Sequence, residues 1–286
     1  MINANTNAIV ATIALPSGSD PFGVAVNPDT GTIYVTDFLS GEVSVIDGAN
    51  NTVTATIALP LDNGFADSDP YGVAVNPDTN TVYVADSGPG EVSVIDGGDN
   101  TIHSNISLGG TTMPYGVAVD PSTGYVYVTE SGTGDVASIN GASVSTYQLN
   151  QPYGPYGVAV NPSSDTVYVG CGCGTSTTTV GNITQIGLSE YDEPVGVAVD
   201  PNTNYVYVAD SGTNQVSVFD STGITNISLP SGSDPGAVTV DPNTDTVYVT
   251  DYGTDQVSVI NGFTNKVTAT ISLPSGAEPE DVAGLW

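Results

Sequence analysis

Cationic side chains are almost missing from this chain. Lys266 is the one basic residue, arginine is absent, and 31 aspartates and glutamates bring the formal charge to −30. Phosphate-binding surfaces are built from Lys and Arg, so the deficit excludes nucleic acid and anionic lipid as partners. It also argues against nucleotide cofactors, and no Gly-Lys-Ser/Thr phosphate loop occurs. Histidine is limited to His103, and cysteine to Cys171 and Cys173. No apolar run approaches the roughly 20 residues of a membrane-spanning helix. No segment carries a helical period of useful length. Residues 1–16 lack the charged start and long apolar centre of a secretory signal, so an exported form is read as the mature chain.

The acids are near an ordinary fraction; the bases are what is depleted, and total charged content is only 11%. Salt-adapted proteins usually add acids to excess, which is not the pattern here. Loss of bases suits acidic surroundings. Near pH 2 most carboxylates are protonated, and Lys266, His103 and the amino terminus leave a charge of about +3. A chain with ordinary Lys and Arg content would repel itself there. Two other readings stay open: an exported chain that has shed trypsin-type cleavage sites, and salt adaptation.

What the chain has in quantity is repetition. A pattern of Pro-x-Gly-Val-Ala-Val-Asn/Asp-Pro, then a Val/Ile-Tyr-Val run, then a run like Val-Ser-Val-Ile-Asp recurs six times with variations. The second copy is the cleanest: Pro70-Tyr71-Gly72-Val73-Ala74-Val75-Asn76-Pro77, Thr81-Val82-Tyr83-Val84-Ala85-Asp86, Glu91-Val92-Ser93-Val94-Ile95-Asp96. The anchor prolines are Pro21, Pro70, Pro114, Pro155, Pro194 and Pro235, with a decayed seventh at Pro279, at an average pitch of 43 residues. Repeats of about 40–45 residues built from four short strands indicate propeller blades. The expected fold is an all-β propeller of four-stranded antiparallel blades, one domain over residues 1–286. Six blades are full and the ends are partial; a seven-bladed ring with an incomplete last blade is the alternative.

Within a repeat, strand A is Gly-Val-Ala-Val, whose small residues suit a crowded axis. Strand B holds Tyr34, Tyr83, Tyr127, Tyr168, Tyr207 and Tyr248 in matching places. Their recurrence in every blade indicates packing between blades, with the hydroxyl finding a partner at a rim. Strand C is the Val-Ser-Val-Ile run. Strand D alternates polar and apolar, as Thr52-Val53-Thr54-Ala55-Thr56-Ile57 does, and fits the outermost place.

These repeats resemble the YVTN family of β-propellers, named for Tyr-Val-Thr-Asn in strand B. The stretch here reads Tyr34-Val35-Thr36-Asp37, Tyr127-Val128-Thr129-Glu130 and Tyr248-Val249-Thr250-Asp251, with an acid in place of the family Asn. The resemblance covers residues 7–286. It implies a surface-layer or extracellular protein without known catalysis. The related NHL and SMP-30 groups include lyases and metal-dependent lactonases, so the fold itself leaves enzyme activity open.

The ends carry extra strands. Residues 7–15 match strand D, and Pro279-Glu280-Asp281-Val282-Ala283-Gly284-Leu285-Trp286 match strand A. A spare strand within the ring, a strand that pairs with a neighbouring chain, and a segment of a longer array are the three readings. The second makes the protein a self-assembling lattice or filament.

Several residue sets carry candidate chemistry. Asp37, Asp86, Glu130, Asp210 and Asp251 follow strand B, and other acids precede strand A. Together they are expected to ring one axial mouth, and an oxygen-rich ring suits Ca²⁺. The local alternative is that Asp opens turns here by hydrogen bonding to nearby backbone. Phe22, Tyr71, Tyr115 and Tyr156 follow four successive anchors and place aromatics beside acids, where a glycan could stack. Ordinary packing under the loop is the plain reading. Cys171 and Cys173 replace the blade-four loop, and a local disulfide, an inter-chain bridge and a metal or redox role all fit. Sequons occur at Asn50, Asn105, Asn182 and Asn226. Catalytic machinery is thin. His103 falls on an outer strand, and lyases of this fold use a histidine at the mouth. The reading reached is a non-enzymatic extracellular or cell-surface structural or interaction module with protein or self as partner. A metal-dependent lactonase or lyase using mouth carboxylates, and a glycan-binding module, are the alternatives.

Overall fold

The computed structural model describes residues 1–60, 68–149, 154–173 and 177–284. Six four-stranded sheets are arranged around an axis, with two single-turn 3₁₀ segments as the only helical elements among the described residues. Blade one runs Pro21–Asn27, Thr32–Asp37, Glu42–Asp47 and Thr52–Ala58 from axis to outside, each strand antiparallel to the next. Blades two, three, five and six repeat this order.

The turn after strand A is set by its last residue. Asn27, Asp120, Asn161, Asp200 and Asp241 each accept the backbone N–H two positions on, at 2.8–3.0 Å. This is the local bond that Asn and Asp make readily in turns. The turn ends in a left-handed residue, Gly31, Asn80, Gly124, Asp165, Asn204 or Asp245, which are the residue types that tolerate it.

Blades adhere through their β-branched faces. Tyr34, Val43, Val45 and Ile57 of blade one pack on Val73, Val82, Val84 and Ile95 of blade two. The strand-B tyrosines do bury between blades, but their hydroxyls fare unequally. Tyr127 accepts from Asn182 Nδ2 at 2.8 Å, whereas the buried hydroxyls of Tyr34 and Tyr207 have no partner.

At the axis each strand A approaches the next very closely. A Cβ on Gly23, Gly72, Gly116 or Gly157 would overlap the carbonyl oxygen of Tyr71, Tyr115, Tyr156 or Val195 in the neighbouring blade. Strand-B threonines fasten the same junction. Thr36 Oγ1 accepts from Gly23 N at 2.7 Å and donates to Tyr71 O at 2.7 Å, and Thr129 does the same for Gly116 and Tyr156. Gly116→Ala is therefore expected to destabilise the ring by about 1–3 kcal/mol, the usual cost of overpacking. An unchanged denaturant midpoint would refute the close approach.

The ends close the ring. Residues 279–284 take a seventh inner place between blades six and one. Thr250 Oγ1 donates to Glu280 O at 3.5 Å, and Val24 N donates to Asp281 Oδ2 at 2.8 Å. Blade six is the blade where Ala237 replaces the motif glycine, at this looser junction. Of the expected amino-terminal strand D, Ala8–Ile9 alone is strand, and it pairs with Ile2–Asn3 in a small hairpin. Ile2 and Val282 pack on Tyr248, Val257, Val259 and Ile271 of blade six, while Ile13 and Leu15 pack on Ile33, Val35 and Ile46 of blade one. Residues 285–286 of the expected partial strand A lie outside the described residues.

Blade four departs from the all-antiparallel expectation. After Thr166–Cys171 the chain crosses to the outer edge, forms Thr178–Val180, and returns as Ile183–Gly187 in the third place. That returning strand lies parallel to Thr166–Cys171, with Val169 opposite Gln185. The crossover replaces the short Asp-Ser-Gly-x-Gly turn of the other blades, so the chain reaches the outer edge before it fills the third place.

Candidate functional site

The axis opens into a cavity of about 160 Å³ floored by the strand-A glycines and valines. Phe22, Tyr115 and Tyr156 line one part of it, and Glu280 and Asp281 another. The four aromatics expected at this mouth form one continuous cluster. Phe22 meets Tyr71 edge-on at 4.9 Å between centroids, Tyr71 stacks on Tyr115 at 4.7 Å, and Tyr115 meets Tyr156 at 4.9 Å. Phe38, from the loop after strand B, extends the cluster against Tyr71 at 5.1 Å. Quadrupoles favour such offset and edge contacts. Tyr156 is the most exposed of the four, at 41%.

The acid side comes from the closing segment. Glu280 occupies the aromatic place of the motif, and Asp281 the glycine place. Burial raises the Glu280 pKa, and Asp20, Glu278, Asp281 and Asp234 add to it. Burial lifts Asp281 to about 6, against the lowering effect of the Val24 and Val282 N–H bonds. Burial also raises Tyr115, with Glu280 the next cause, so the acid and the phenol sense each other across the mouth. The repeat pattern does not by itself mark Glu280 and Asp281 as site residues. The one signal the sequence holds for them is the double break of Pro-x-Gly at Pro279-Glu280-Asp281.

The strand-B carboxylates do not form the expected ring around the mouth. Asp37, Asp86, Glu130, Asp210 and Asp251 are 0–2% exposed and sit inside separate blades. Asp37, Asp210 and Asp251 each accept a strand-C serine hydroxyl, from Ser44, Ser217 and Ser258, at 2.6–2.7 Å. Asp86 accepts from Ser68 at 2.8 Å, and Glu130 from Thr133 at 3.1 Å. The remaining oxygens of the four aspartates are buried without a hydrogen-bond partner. Burial is the first cause of a raised pKa in all five, to about 7 for Asp86 and Asp210 and about 6 for Asp251. Calcium takes about six to eight oxygens. Among the described residues, no three Asp, Glu, His or Cys side chains converge as a metal would require.

In blade four this buried pair is rebuilt. Cys171 stands where other blades have the acid, and Gln185 takes the register place of the serine. Cys171 and Cys173 are bonded to each other. Gln185 Nε2 donates to both sulfurs, at 2.9 and 3.0 Å. His103 lies exposed on the outer strand Thr101–Ser107, away from the cavity. Of the sequon asparagines, Asn50, Asn105 and Asn226 are exposed, and Asn182 is half-buried against Tyr127.

Comparison with known proteins places the chain among β-propeller repeat proteins. The NHL repeat model matches residues 191–219, which fall in blade five. A PE-PGRS family protein of Mycobacterium tuberculosis, PE_PGRS18, is 59% identical over 46 residues, 16% of this chain; the chain matches about a tenth of that protein's length. A catalytically inactive virginiamycin B lyase from Staphylococcus aureus, solved with quinupristin, superposes with a TM-score of 0.80 at 15% identity, covering 95% of this chain and 91% of that one. A propeller from a nidogen/laminin complex superposes at 0.59 with 18% identity, over 94% and 85% of the two chains. At these identities the likeness is one of fold. Propellers host unrelated functions, so the site must carry the functional argument.

Proposed function

We propose that this chain is an extracellular interaction propeller of the YVTN surface type that binds a protein partner at its axial mouth without transforming it. The observation that carries this reading is the mouth itself: four contiguous aromatic rings facing two carboxylates at the closure of the ring. Aromatic residues are the usual anchors of protein interfaces. An extracellular location is supported by the near absence of Lys and Arg and by the Cys171–Cys173 bond, a bond that persists in oxidising surroundings. The nidogen/laminin propeller offers a precedent of fold for protein partners.

An enzymatic reading draws on the superposition with virginiamycin B lyase. Its difficulty is chemical, because His103 is far from the cavity and a general base at the mouth would have to be a carboxylate or a phenol. Both readings meet in one experiment. Tyr115→Ala with Tyr156→Ala is expected to lower retention of an extracellular partner at least tenfold, while Tyr125→Ala, in the turn at the opposite end of blade three, leaves it unchanged. Hydrolysis or ring opening of quinupristin by the wild-type chain, lost in the mouth variant, would replace the binding reading with the enzymatic one.

Self-assembly is supported by residues 12–15, which keep the strand-D pattern yet pair with no strand among the described residues. Deleting residues 1–15 should then abolish any oligomer seen by native mass at pH 3 and pH 7. An oligomer that survives the deletion refutes that use of the segment.

A further inference from the structure

The mouth has a chemical asymmetry that bears on what fills it. Phe22, Tyr115 and Tyr156 give aromatic walls on the side of blades one to four. Glu280 stands across from them, and its carboxylate accepts no hydrogen bond from any described residue. Asp20, Asp234 and Glu278 lie near enough to raise its pKa. The protein supplies no compensating charge. Lys266 is exposed on the outer strand of blade six, His103 on that of blade two, and the amino terminus is bonded to Ala11 O at 2.8 Å. Glu280 is half-buried, and a carboxylate partly withdrawn from water without a cation carries a cost. A ligand that brings the cation relieves that cost, and its apolar stem finds aromatic faces beside it. Cations over aromatic rings gain further attraction. The cavity of about 160 Å³ has room for a side chain.

Resting on the interaction reading above, we infer that the axial mouth receives a single cationic side chain, the lysine ammonium or arginine guanidinium of a protein partner, between Tyr115 and Tyr156 on one side and Glu280 on the other. The same geometry disfavours neutral sugars, which would leave Glu280 uncompensated. It disfavours acidic peptides more strongly.

The test is calorimetric titration of the whole chain at pH 7 with Nα-acetyl-lysine amide, Nα-acetyl-arginine amide and the neutral Nα-acetyl-norleucine amide. Binding of at least one cationic probe is expected, with norleucine amide about tenfold weaker or silent. Glu280→Gln and Tyr156→Ala should each lower the affinity about five- to tenfold. Asp99→Asn, an exposed acid on the far side of blade two, should leave it unchanged. Equal loss in Asp99→Asn would mean nonspecific attraction to a negative surface and would overturn the inference. Equal binding of norleucine amide, or no effect of Glu280→Gln, would overturn the cationic ligand while leaving the mouth as a binding site. Silence of all three probes, with partner retention still sensitive to Tyr115→Ala and Tyr156→Ala, would do the same. Silence together with insensitive retention would remove the interaction reading as well.

Discussion

Lowering the pH from 8 to 4 is expected to stabilise this protein, by an amount that moves the thermal midpoint on the order of 10 °C. Asp86, Asp210 and Asp251 are buried, and their pKa values rise from 3.8 to about 7, 7 and 6 because burial penalises the charged form. A group whose folded pKa is raised binds its proton more tightly in the folded state. Its contribution is fully present below the unfolded pKa and is lost as the pH rises through the folded value. The window therefore runs from about pH 4 up to about pH 7. Each tenfold gain in proton affinity corresponds to about 1.4 kcal/mol. On that scale Asp86 and Asp210 would each contribute up to about 4 kcal/mol, and even partial realisation yields several kcal/mol in all. For a chain of this size one kcal/mol moves the midpoint by about 2 °C or slightly more. Relief of repulsion among surface acids acts in the same direction. Asp210→Asn separates the two causes, since it removes one buried titration and hardly alters the surface. It should raise stability at pH 8 and flatten the pH dependence. A midpoint that falls on acidification from 8 to 4 would contradict the buried-acid account.

Removing residues 275–286 is expected to cost still more, enough to unfold blades six and one or to leave a ring that melts well below the parent. That segment holds the seventh inner place. Asp281 accepts Val24 N, Asp255 accepts Gly276 N and Glu278 N at 2.8 and 2.9 Å, and Val282 covers the apolar face of blade six. Deletion strips one flank from Tyr248, Val257 and Val259, leaves the Val24 N–H without its acceptor, and takes both backbone donors from Asp255. Asp281→Ala isolates the smallest part of this effect. It leaves the half-buried Val24 N–H unpaired, a loss of about 1 kcal/mol. Hydrogen exchange at Val24 should then rise in the variant while exchange in blades three and four stays slow. Full stability of the truncated chain would show that the ring closes without its carboxyl-terminal segment.

Much of the fold was legible in the sequence because repetition multiplies a weak signal. One Val-Tyr-Val run says little, but six Val/Ile-Tyr-Val runs at an average pitch of 43, four of them followed by Val-Ser-Val, leave few architectures. The aromatic cluster was legible for the same reason: Phe22, Tyr71, Tyr115 and Tyr156 occupy one place in four successive repeats, and equivalent places in a propeller are neighbours at the axis. The strand-B acids were misplaced by the same logic. Their recurrence was visible, but whether Asp37 faces the axis or its own blade depends on the strand-C serine beside it. That pairing across strands has no local signature. Blade four hid its exchange of outer strands behind a single changed loop. The third-place strand Ile183–Gly187 has the composition of any strand, and its parallel direction follows only from where the crossover lands. The closing acids Glu280 and Asp281 lie in a decayed repeat, where divergence reads as loss. The geometry shows the reverse: Asp281 reaches Val24 because it is not glycine.

The measurement that tests the account most directly is a two-dimensional NMR spectrum of ring-labelled tyrosines, recorded as the retained protein partner is added. The Tyr71, Tyr115 and Tyr156 signals should shift together, with Tyr125 unmoved. Shifts confined to Tyr125 would contradict the account and would place recognition on the opposite face of the ring.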